Sequence, residues 1–194
     1  MDVSIAFFYN TMHHPEENPW QITSETVVYN NPWINLTEYQ VINPSGNPGI
    51  YGKVHFKNIA IGVIPLDEDM NTWLVGQYRF ALGQYSWEIP EGGGVLGVDP
   101  LDSAKRELME ETGLKAERWM ELQRMYLSNS VSDELCIIYL AQYLQQFEPE
   151  PEDTEQLIIK KLPFKEVYQM VCNGEITDSV TVAAVLKLQL TLNG

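Results

Sequence analysis

The chain has 194 residues, of which 44% are hydrophobic and 11% aromatic, and its formal net charge is −15. A chain of this length and composition folds around one substantial core with room for a small appendage, which excludes a disordered protein and a pair of large domains. The acidic charge repels polyanions and argues against nucleic acid or an anionic membrane as a partner. A small phosphorylated substrate is compatible with this negative charge, because bound divalent cations invert the local electrostatic potential.

The apolar stretches at residues 59–66 and 135–141 are as long as strands and fall short of the roughly 20 residues that a membrane span needs. The sequence therefore predicts no membrane helix. Residues 1–4 lack the basic segment of a signal peptide, and Cys136 and Cys172 lie in a predicted strand and a predicted helix. We expect a cytoplasmic protein in which both thiols are reduced and buried in packing.

Short strand patterns lie near the N-terminus. Residues 27–29 and 33–42 are separated by an Asn-Asn-Pro turn and followed by a turn rich in Pro and Gly at residues 43–49. They predict a small antiparallel β appendage, which we assign to residues 1–56. Residues 57–194 would then form the main domain.

The main sheet is predicted from segments rich in aromatic and β-branched residues. We expect central strands at residues 50–56, 59–66 and 73–79, and later strands at 120–127, 134–143 and 157–162. Strands and helices are mixed without regular alternation, which favours an α/β (α+β) fold over a doubly wound sheet. No G-x-G-x-x-G directly follows a predicted strand, and G-x-x-x-x-G-K-[ST] does not occur, which argues against a dinucleotide or P-loop fold.

One helix has complete boundary signals and follows a glycine-rich stretch. Asp99 is placed to cap it, Pro100 occupies its first position and Gly113 follows its last residue. Two further helices are predicted over residues 164–173 and 178–192, from apolar residues at helical spacing.

The first of these helices carries a row of acidic residues beside its apolar stripe. Glu107, Glu110 and Glu111 fall within an arc of about 100°, next to the stripe of Leu101, Ala104 and Leu108. Like charges at these spacings, placed near the C-terminal end of a helix, cost about 0.2–1 kcal/mol each. Lys105 and Arg106 could balance them on a solvated face. A hard cation such as Mg²⁺ or Mn²⁺ would instead use them as oxygen ligands.

From Gly92 to Leu114 the sequence resembles the Nudix box, G-x₅-E-x₇-R-E-U-x-E-E-x-G-U, where U is a bulky aliphatic residue. Every fixed position agrees except the first glutamate, which is Val98 here. The resemblance implies the Nudix α/β/α sandwich, a mixed sheet with flanking helices, and a Mg²⁺-dependent pyrophosphohydrolase. Arg106 would orient the glutamates. The metal ligands that it implies are Glu107, Glu110, Glu111 and the main-chain carbonyl near Glu91 or Gly92.

Other segments resemble the ADP-ribose pyrophosphatases and nucleoside diphosphate sugar hydrolases. Gln77-Tyr78-Arg79 and Glu88-Ile89-Pro90-Glu91-Gly92 match their Q-Y/F-R strand and E-x-P-x-G segment. The resemblance implies that Arg79 binds the diphosphate and that Glu88 lies at the metal site, while a plain surface role for Arg79 is the alternative. Trp33 and Tyr51 resemble, more weakly, aromatic residues that sandwich the base, often across a homodimer; ordinary strand or dimer-core aromatics are the alternative.

Two loops extend the resemblance. Residues 128–134 are similar to an S-P-G-x-S-D-E segment but lack its Pro-Gly pair, so this loop could differ. The acidic loop before residue 157 resembles a loop that carries a catalytic glutamate, and its distance from the next strand selects Glu155, with Glu152 as the alternative. Catalysis would thus rest on Glu155, Glu107 and Glu111. His13 and His14 lie in a polar stretch and are expected at the surface.

The resemblance implies that a homodimer hydrolyses ADP-ribose or a related nucleoside diphosphate sugar to a nucleoside monophosphate and a sugar phosphate. One alternative is a GDP-mannose or other nucleotide-sugar hydrolase, because stacking on an aromatic ring does not select the base. Another is a catalytically weakened ligand-binding or regulatory module, because Val98 replaces a carboxylate. An mRNA-decapping role is disfavoured by the acidic charge and the lack of a basic patch.

Overall fold

The computed structural model describes residues 17–148 and 157–193. Over these ranges the chain forms ten strands and three helices. The strands are β1 (Gln21–Asn30), β2 (Ile34–Ile42), β3 (Pro48–Phe56), β4 (Asn58–Pro65), β5 (Asn71–Arg79), β6 (Gln84–Glu88), β7 (Glu91–Val95), β8 (Leu114–Tyr126), β9 (Leu135–Gln146) and β10 (Ile158–Pro163). The helices are α1 (Pro100–Thr112), α2 (Phe164–Cys172) and α3 (Ser179–Asn193). None of the helices in the described ranges has the length and apolar character needed to cross a membrane.

The first three strands form an outer antiparallel sheet in the order β1-β2-β3. The Asn43 carboxamide shapes the β2–β3 turn by accepting the backbone N–H groups of Ser45 and Asn47, both at 3.0 Å. The prediction that residues 50–56 form a central strand is wrong, because they belong to β3 and pair along their length with β2. Apolar and β-branched content marks a strand but does not select its sheet, whereas this short turn makes β2 and β3 neighbours.

The main domain is a mixed α/β/α sandwich, which confirms the predicted fold class. Strands β7, β4, β9 and β8 form one sheet, in which β4 and β9 are parallel and the other pairs antiparallel; β10, β5 and β6 form a second, antiparallel sheet. Side chains along β4 alternate between two cores because successive residues of a strand point to opposite faces. Ile61 and Val63 pack with Ala104 and Leu108 of α1, whereas Ile64 packs with the residues of α2 and α3.

Helix α1 has the predicted boundaries. The Asp99 carboxylate accepts the N–H of Leu101 at 3.0 Å, Pro100 is the first helical residue, and the Gly113 N–H donates to the Met109 carbonyl at the C-terminal end. Ala104 and Leu108 are completely buried. Local capping and the apolar stripe therefore agree with the packing, which is why the sequence located this helix well.

Strands β6 and β7 were not predicted. β7 lies within the glycine-rich stretch, and glycine has a low strand propensity, so its extended form depends on pairing with β4. The prediction that both thiols are buried is correct for Cys136 and wrong for Cys172, which is exposed at the last residue of α2. Burial raises the pKa of Cys136 to about 12, so this thiol stays protonated and unreactive.

Candidate active site

Five predicted site residues meet where the β6–β7 turn lies between α1 and the start of α3: Arg79, Glu88, Glu91, Glu107 and Glu111. Glu88 ends β6 and Glu91 begins β7, so only Ile89 and Pro90 separate the two strands. A cleft of about 280 Å³ opens beside this turn. Its lining includes Arg79, Glu91, Gly92, Glu134 and Asp178.

Arg79, the last residue of β5, is held against two carboxylates. Its Nε donates to both oxygens of Glu88, at 2.9 and 3.0 Å, and its Nη2 donates to Glu88 at 2.5 Å and to Glu91 at 2.7 Å. Nη1 makes no hydrogen bond to the described residues. Burial tends to lower the pKa of Arg79, but the Glu88 hydrogen bond and the charges of Glu91 and Glu88 outweigh it and raise the pKa. Arg79 is therefore always charged, with one nitrogen available to an anion in the cleft.

The cleft holds an excess of negative charge around Glu91. Carboxylate oxygens of Glu88, Glu91 and Asp178 lie within 4.8 Å of one another. Burial, and then the charges of Asp178 and Glu88, raise the pKa of Glu91 well above its usual value, although Arg79 acts in the opposite direction. Within the described part of the chain, the buried Oε2 of Glu91 has no hydrogen-bond partner. Clustered like charges of this kind are favourable when a cation is bound among them.

Helix α1 brings two of its three glutamates to the same place. Glu111 is almost completely buried, at 1% exposure, and its carboxylate accepts the backbone N–H of Glu91 at 3.0 Å. Glu107 is also buried and lies against Gly92, where an added Cβ would overlap the Glu107 carboxylate. Glu110 is more exposed. A residue larger than glycine at position 92 would therefore displace the Glu107 carboxylate from β7.

Arg106 connects the helix glutamates to β7. Its Nη2 donates to Glu107 at 2.6 Å and to the Gly93 carbonyl at 2.9 Å, and its Nη1 donates to Glu110 at 2.7 Å. Burial tends to lower the pKa of Arg106, but the neighbouring charges of Glu107 and Glu110 raise it. These contacts are compatible both with an arginine that orients the glutamates and with an ion pair on a partly exposed face, so the orienting role stays a prediction.

The donor set fits a hard divalent cation. The carboxylates of Glu88, Glu91, Asp178, Glu107 and Glu111 supply oxygen ligands only, which is the chemistry that Mg²⁺ and Mn²⁺ prefer. Among the described residues the Glu91 Oε2 at this cluster has no hydrogen-bond partner. The carboxylates that converge there are Glu88, Glu91 and Asp178, and the buried Glu107 and Glu111 contact the adjoining backbone at Gly92 and Glu91.

The structure locates the other predicted residues as follows. Val98 lies in the turn before α1 with 48% of its surface exposed. Tyr51 lines a groove of about 300 Å³ on the outer sheet, where its ring makes an edge-to-face contact with Trp20 at 5.4 Å between centroids. Trp33 is 67% exposed and is not part of that lining. Glu155, Glu152, His13 and His14 lie outside the described residues.

Sequence reasoning did not select Asp178, Glu134 or Thr181 as site residues. Asp178 was recognised only as a helix start, yet it reaches Glu88 and Glu91. Glu134 lines the cleft, and burial raises the pKa of its carboxyl group. Thr181 is completely buried and bonds to the β6–β7 turn. The only sequence signal was their polarity next to apolar segments, which does not reveal contacts across about 90 residues.

Comparison with known proteins agrees with this geometry. A family model described as the NUDIX domain matches residues 56–179, and a model described as the nucleoside diphosphate sugar hydrolase N-terminal domain matches residues 20–54. The chain belongs to the Nudix family. Nudix hydrolases generally use a divalent metal, in keeping with the carboxylate cluster.

Two curated relatives and one solved structure are similar to this Nudix chain. The ADP-ribose pyrophosphatase of Mycobacterium tuberculosis is 31% identical over 182 residues, 92% of this chain and 87% of that protein. The methanol dehydrogenase activator of Bacillus methanolicus is 35% identical over 133 residues, 68% of this chain and 72% of that protein. The crystal structure of an ADP compounds hydrolase superposes with a TM-score of 0.81 at 19% identity, over 90% of this chain and 95% of that one, which shows the shared fold. The protein is an ADP-ribose pyrophosphatase-like Nudix hydrolase.

Proposed function

We propose that this Nudix hydrolase cleaves the diphosphate bond of ADP-ribose or a related nucleoside diphosphate sugar, using Mg²⁺, or Mn²⁺ in its place. The products are a nucleoside monophosphate and a sugar phosphate. The observation that carries the proposal is the contact of Arg79 with Glu88 and Glu91 beside the buried Glu107 and Glu111. A guanidinium next to a carboxylate cluster provides both an anion site and a cation site within one cleft, as a metal-bound diphosphate requires.

In this proposal each residue has a limited task. Arg79 binds the diphosphate through Nη1 and keeps its orientation through the bonds of Nε and Nη2 to Glu88. Glu107, Glu110, Glu111 and Glu91 hold the metal. When bound, the metal neutralises phosphate oxygens and lowers the pKa of a bound water. Arg106 orients Glu107 and Glu110 through one hydrogen bond to each carboxylate.

The water-activating group is proposed from the sequence. Glu155 would orient the attacking water, with Glu152 as the alternative. Both residues are in the acidic segment that precedes β10 in the chain. β10 pairs with β5, the strand that carries Arg79, and Ile158 at the start of β10 lies opposite Gly76 of β5. The first residue of β10 therefore lies toward the Arg79 end of β5, which supports the choice of the segment before β10.

The outer sheet is proposed to bind the base and to form a homodimer. We assign these tasks to residues 1–56 and the hydrolase domain to residues 57–194. Tyr51 with Trp20 offers an aromatic groove, and Trp33 offers a second exposed ring; stacking on such a ring contributes about 1–3 kcal/mol. The β1–β3 sheet also exposes Ile22, Val27, Val28, Tyr29 and Ile50, an apolar surface that a second copy would cover.

Both cysteines are unpaired thiols, which supports a reducing compartment such as the cytoplasm as the proposed location.

A substrate panel with metal titration tests the proposal. ADP-ribose, GDP-mannose and other nucleoside diphosphate sugars are compared by kcat/KM in Mg²⁺ and in Mn²⁺, with products identified by chromatography. The expected result is metal-dependent release of AMP and ribose phosphate with ADP-ribose among the best substrates. A higher kcat/KM for GDP-mannose would favour a different nucleotide sugar. Tight binding of ADP-ribose without AMP release at any metal concentration would favour the regulatory module that Val98 makes plausible.

A further inference from the structure

The β6–β7 turn is bonded to strand β4 and to two helices. The Pro90 carbonyl accepts the N–H of Val63 of β4 at 2.8 Å. Pro90 has no N–H, so the backbone donors on either side of it are those of Ile89 and Glu91. The Glu91 N–H donates to Glu111 of α1 at 3.0 Å. The Ile89 N–H donates to the hydroxyl of Thr181 of α3 at 2.9 Å, and both residues are completely buried.

The start of α3 is itself fixed in place. The Asp178 carboxylate accepts the N–H of Thr181 at 2.7 Å, and the Asp178 carbonyl accepts the N–H of Val182 at 2.9 Å. Val180 packs so closely on β4 that a Cβ added to Gly62 would lie 2.6 Å from its Cγ1. A helix end held by a cap on one side and close packing on the other cannot shift to follow a displaced turn.

We propose that Thr181 is a positioning residue, which acts through Ile89 to hold Glu88 and Glu91 in the orientation where both contact Arg79. The inference rests on the proposed function, because it assigns the turn to a site for metal and diphosphate. Thr181 touches neither carboxylate directly. Pro90 and Glu91 keep their bonds to Val63 and Glu111, so loss of the Thr181 bond releases the Ile89 end of the turn. Glu88, which precedes Ile89, then moves relative to Glu91 and Asp178, and the oxygen ligands no longer converge.

The experiment compares Thr181→Val, which has nearly the same shape without the hydroxyl, with Thr181→Ser, which keeps the hydroxyl. Thr191→Val is the matched control, because Thr191 is exposed on the same helix and its hydroxyl bonds only to the Lys187 carbonyl within the described residues. The readouts are the Mn²⁺ affinity, measured from the EPR signal of free Mn²⁺, and kcat and KM separately. Thermal melting establishes that each variant is folded.

Thr181→Val is expected to weaken Mn²⁺ binding and lower kcat about 10–100-fold each, with a smaller change in KM, while Thr181→Ser and Thr191→Val stay within about threefold of the wild type. A folded Thr181→Val with unchanged Mn²⁺ affinity and kcat overturns the proposal, because a merely structural threonine would change only the melting temperature. If Thr181→Val does not fold, Thr181→Ala is compared with Thr181→Ser. Equal Mn²⁺ affinity in these two variants would overturn the proposal, and weaker binding by Thr181→Ala alone would support it.

The Mn²⁺ measurement also separates this inference from the proposed function. A wild type that binds Mn²⁺ but hydrolyses no nucleoside diphosphate sugar would count against the proposed function. The effect of the Thr181 variants on Mn²⁺ affinity would still decide whether Thr181 positions the carboxylates.

Discussion

The backbone N–H of Glu91 donates to the carboxylate of Glu111 over 3.0 Å, which joins the β6–β7 turn to helix α1. The same carboxylate therefore has a structural partner and belongs to the proposed metal site. A glutamine at this position keeps an oxygen that can accept the N–H but loses the negative charge. The two tasks of Glu111 can thus be separated by one substitution.

Glu111→Gln is expected to lower kcat with Mg²⁺ by at least about 100-fold, because a charged ligand of the metal is removed. The melting temperature should stay the same or rise, since a buried negative charge beside Glu91 is relieved. Steady-state turnover of ADP-ribose and a thermal melt measure both effects. Glu166→Gln, at an exposed position of α2, is the control for the loss of one charge. Wild-type turnover in Glu111→Gln would show that this glutamate is not needed for catalysis.

Arg79→Lys is expected to lower kcat/KM by about 10–100-fold. Lysine keeps the positive charge but is a point donor, so it cannot contact Glu88 through two nitrogens and the diphosphate through a third. The affinity for ADP-ribose should fall more than the affinity for AMP, which has no diphosphate and is not hydrolysed. Steady-state kinetics with ADP-ribose and the inhibition constant of AMP measure the two effects, with Arg118→Lys at an exposed position of β8 as the control. An equal loss of affinity for both compounds would mean that Arg79 does not bind the diphosphate.

Sequence reasoning placed α1 and its glutamates well because the signals are local. The cap at Asp99, the glycine at position 113 and the helical spacing of Glu107 and Glu111 act within one helix. The buried side of this helix carries Glu107 and Glu111 as well as Ala104 and Leu108. Only the packing against β7 shows that these two glutamates are buried, whereas Glu110 is partly exposed and pairs with Arg106.

The contributions of β7 and Asp178 could not be predicted, because both depend on contacts far apart in the chain. The glycines at residues 92–94 argue against a strand, but these residues pair with β4 and form strand β7. The sequence predicts Asp178 only as a helix cap, and no neighbouring residue indicates that its carboxylate lies close to Glu88 and Glu91. Glu155 lies outside the described residues, so its role in the site stays a prediction from the resemblance.

Asp133 joins the outer sheet to the main domain. Its carboxylate bonds to His55 at 2.8 Å, to the Phe56 N–H at 3.1 Å and to Lys53 at 3.1 Å. Burial tends to raise the pKa of Asp133, but these bonds lower it below the usual 3.8. Because the pKa of Asp133 is lower in the folded state than in the unfolded state, its carboxylate stabilises the fold fully at pH values above the unfolded-state pKa. This stabilisation is lost as the pH falls through the folded-state pKa.

Asp133→Asn is therefore expected to lower the free energy of unfolding by about 1 kcal/mol or less at pH 7, a modest value because all three side chains are partly exposed. The difference from the wild type should shrink as the pH falls below about 4. Urea unfolding followed by tryptophan fluorescence, at pH 7 and at a pH below about 4, measures the difference in free energy of unfolding. Asp69→Asn, in the exposed turn before β5, is the control. A difference that does not change with pH would show that the Asp133 charge has no part in it.

Gly92→Ala tests the contact of β7 with α1 without removing any charged group. The added methyl group would overlap the Glu107 carboxylate, so Glu107 or the strand has to move. We expect kcat/KM to fall more than about tenfold and stability to fall by about 1–3 kcal/mol, as in other overpacked sites. Gly52→Ala is the matched control, because Gly52 also lies in a strand and its added Cβ meets no atom within 4 Å. Thermal melts and ADP-ribose kinetics on both variants give the comparison. If Gly92→Ala behaves like Gly52→Ala, Glu107 has room to move without loss of function, and the close approach of α1 to β7 is not what positions it.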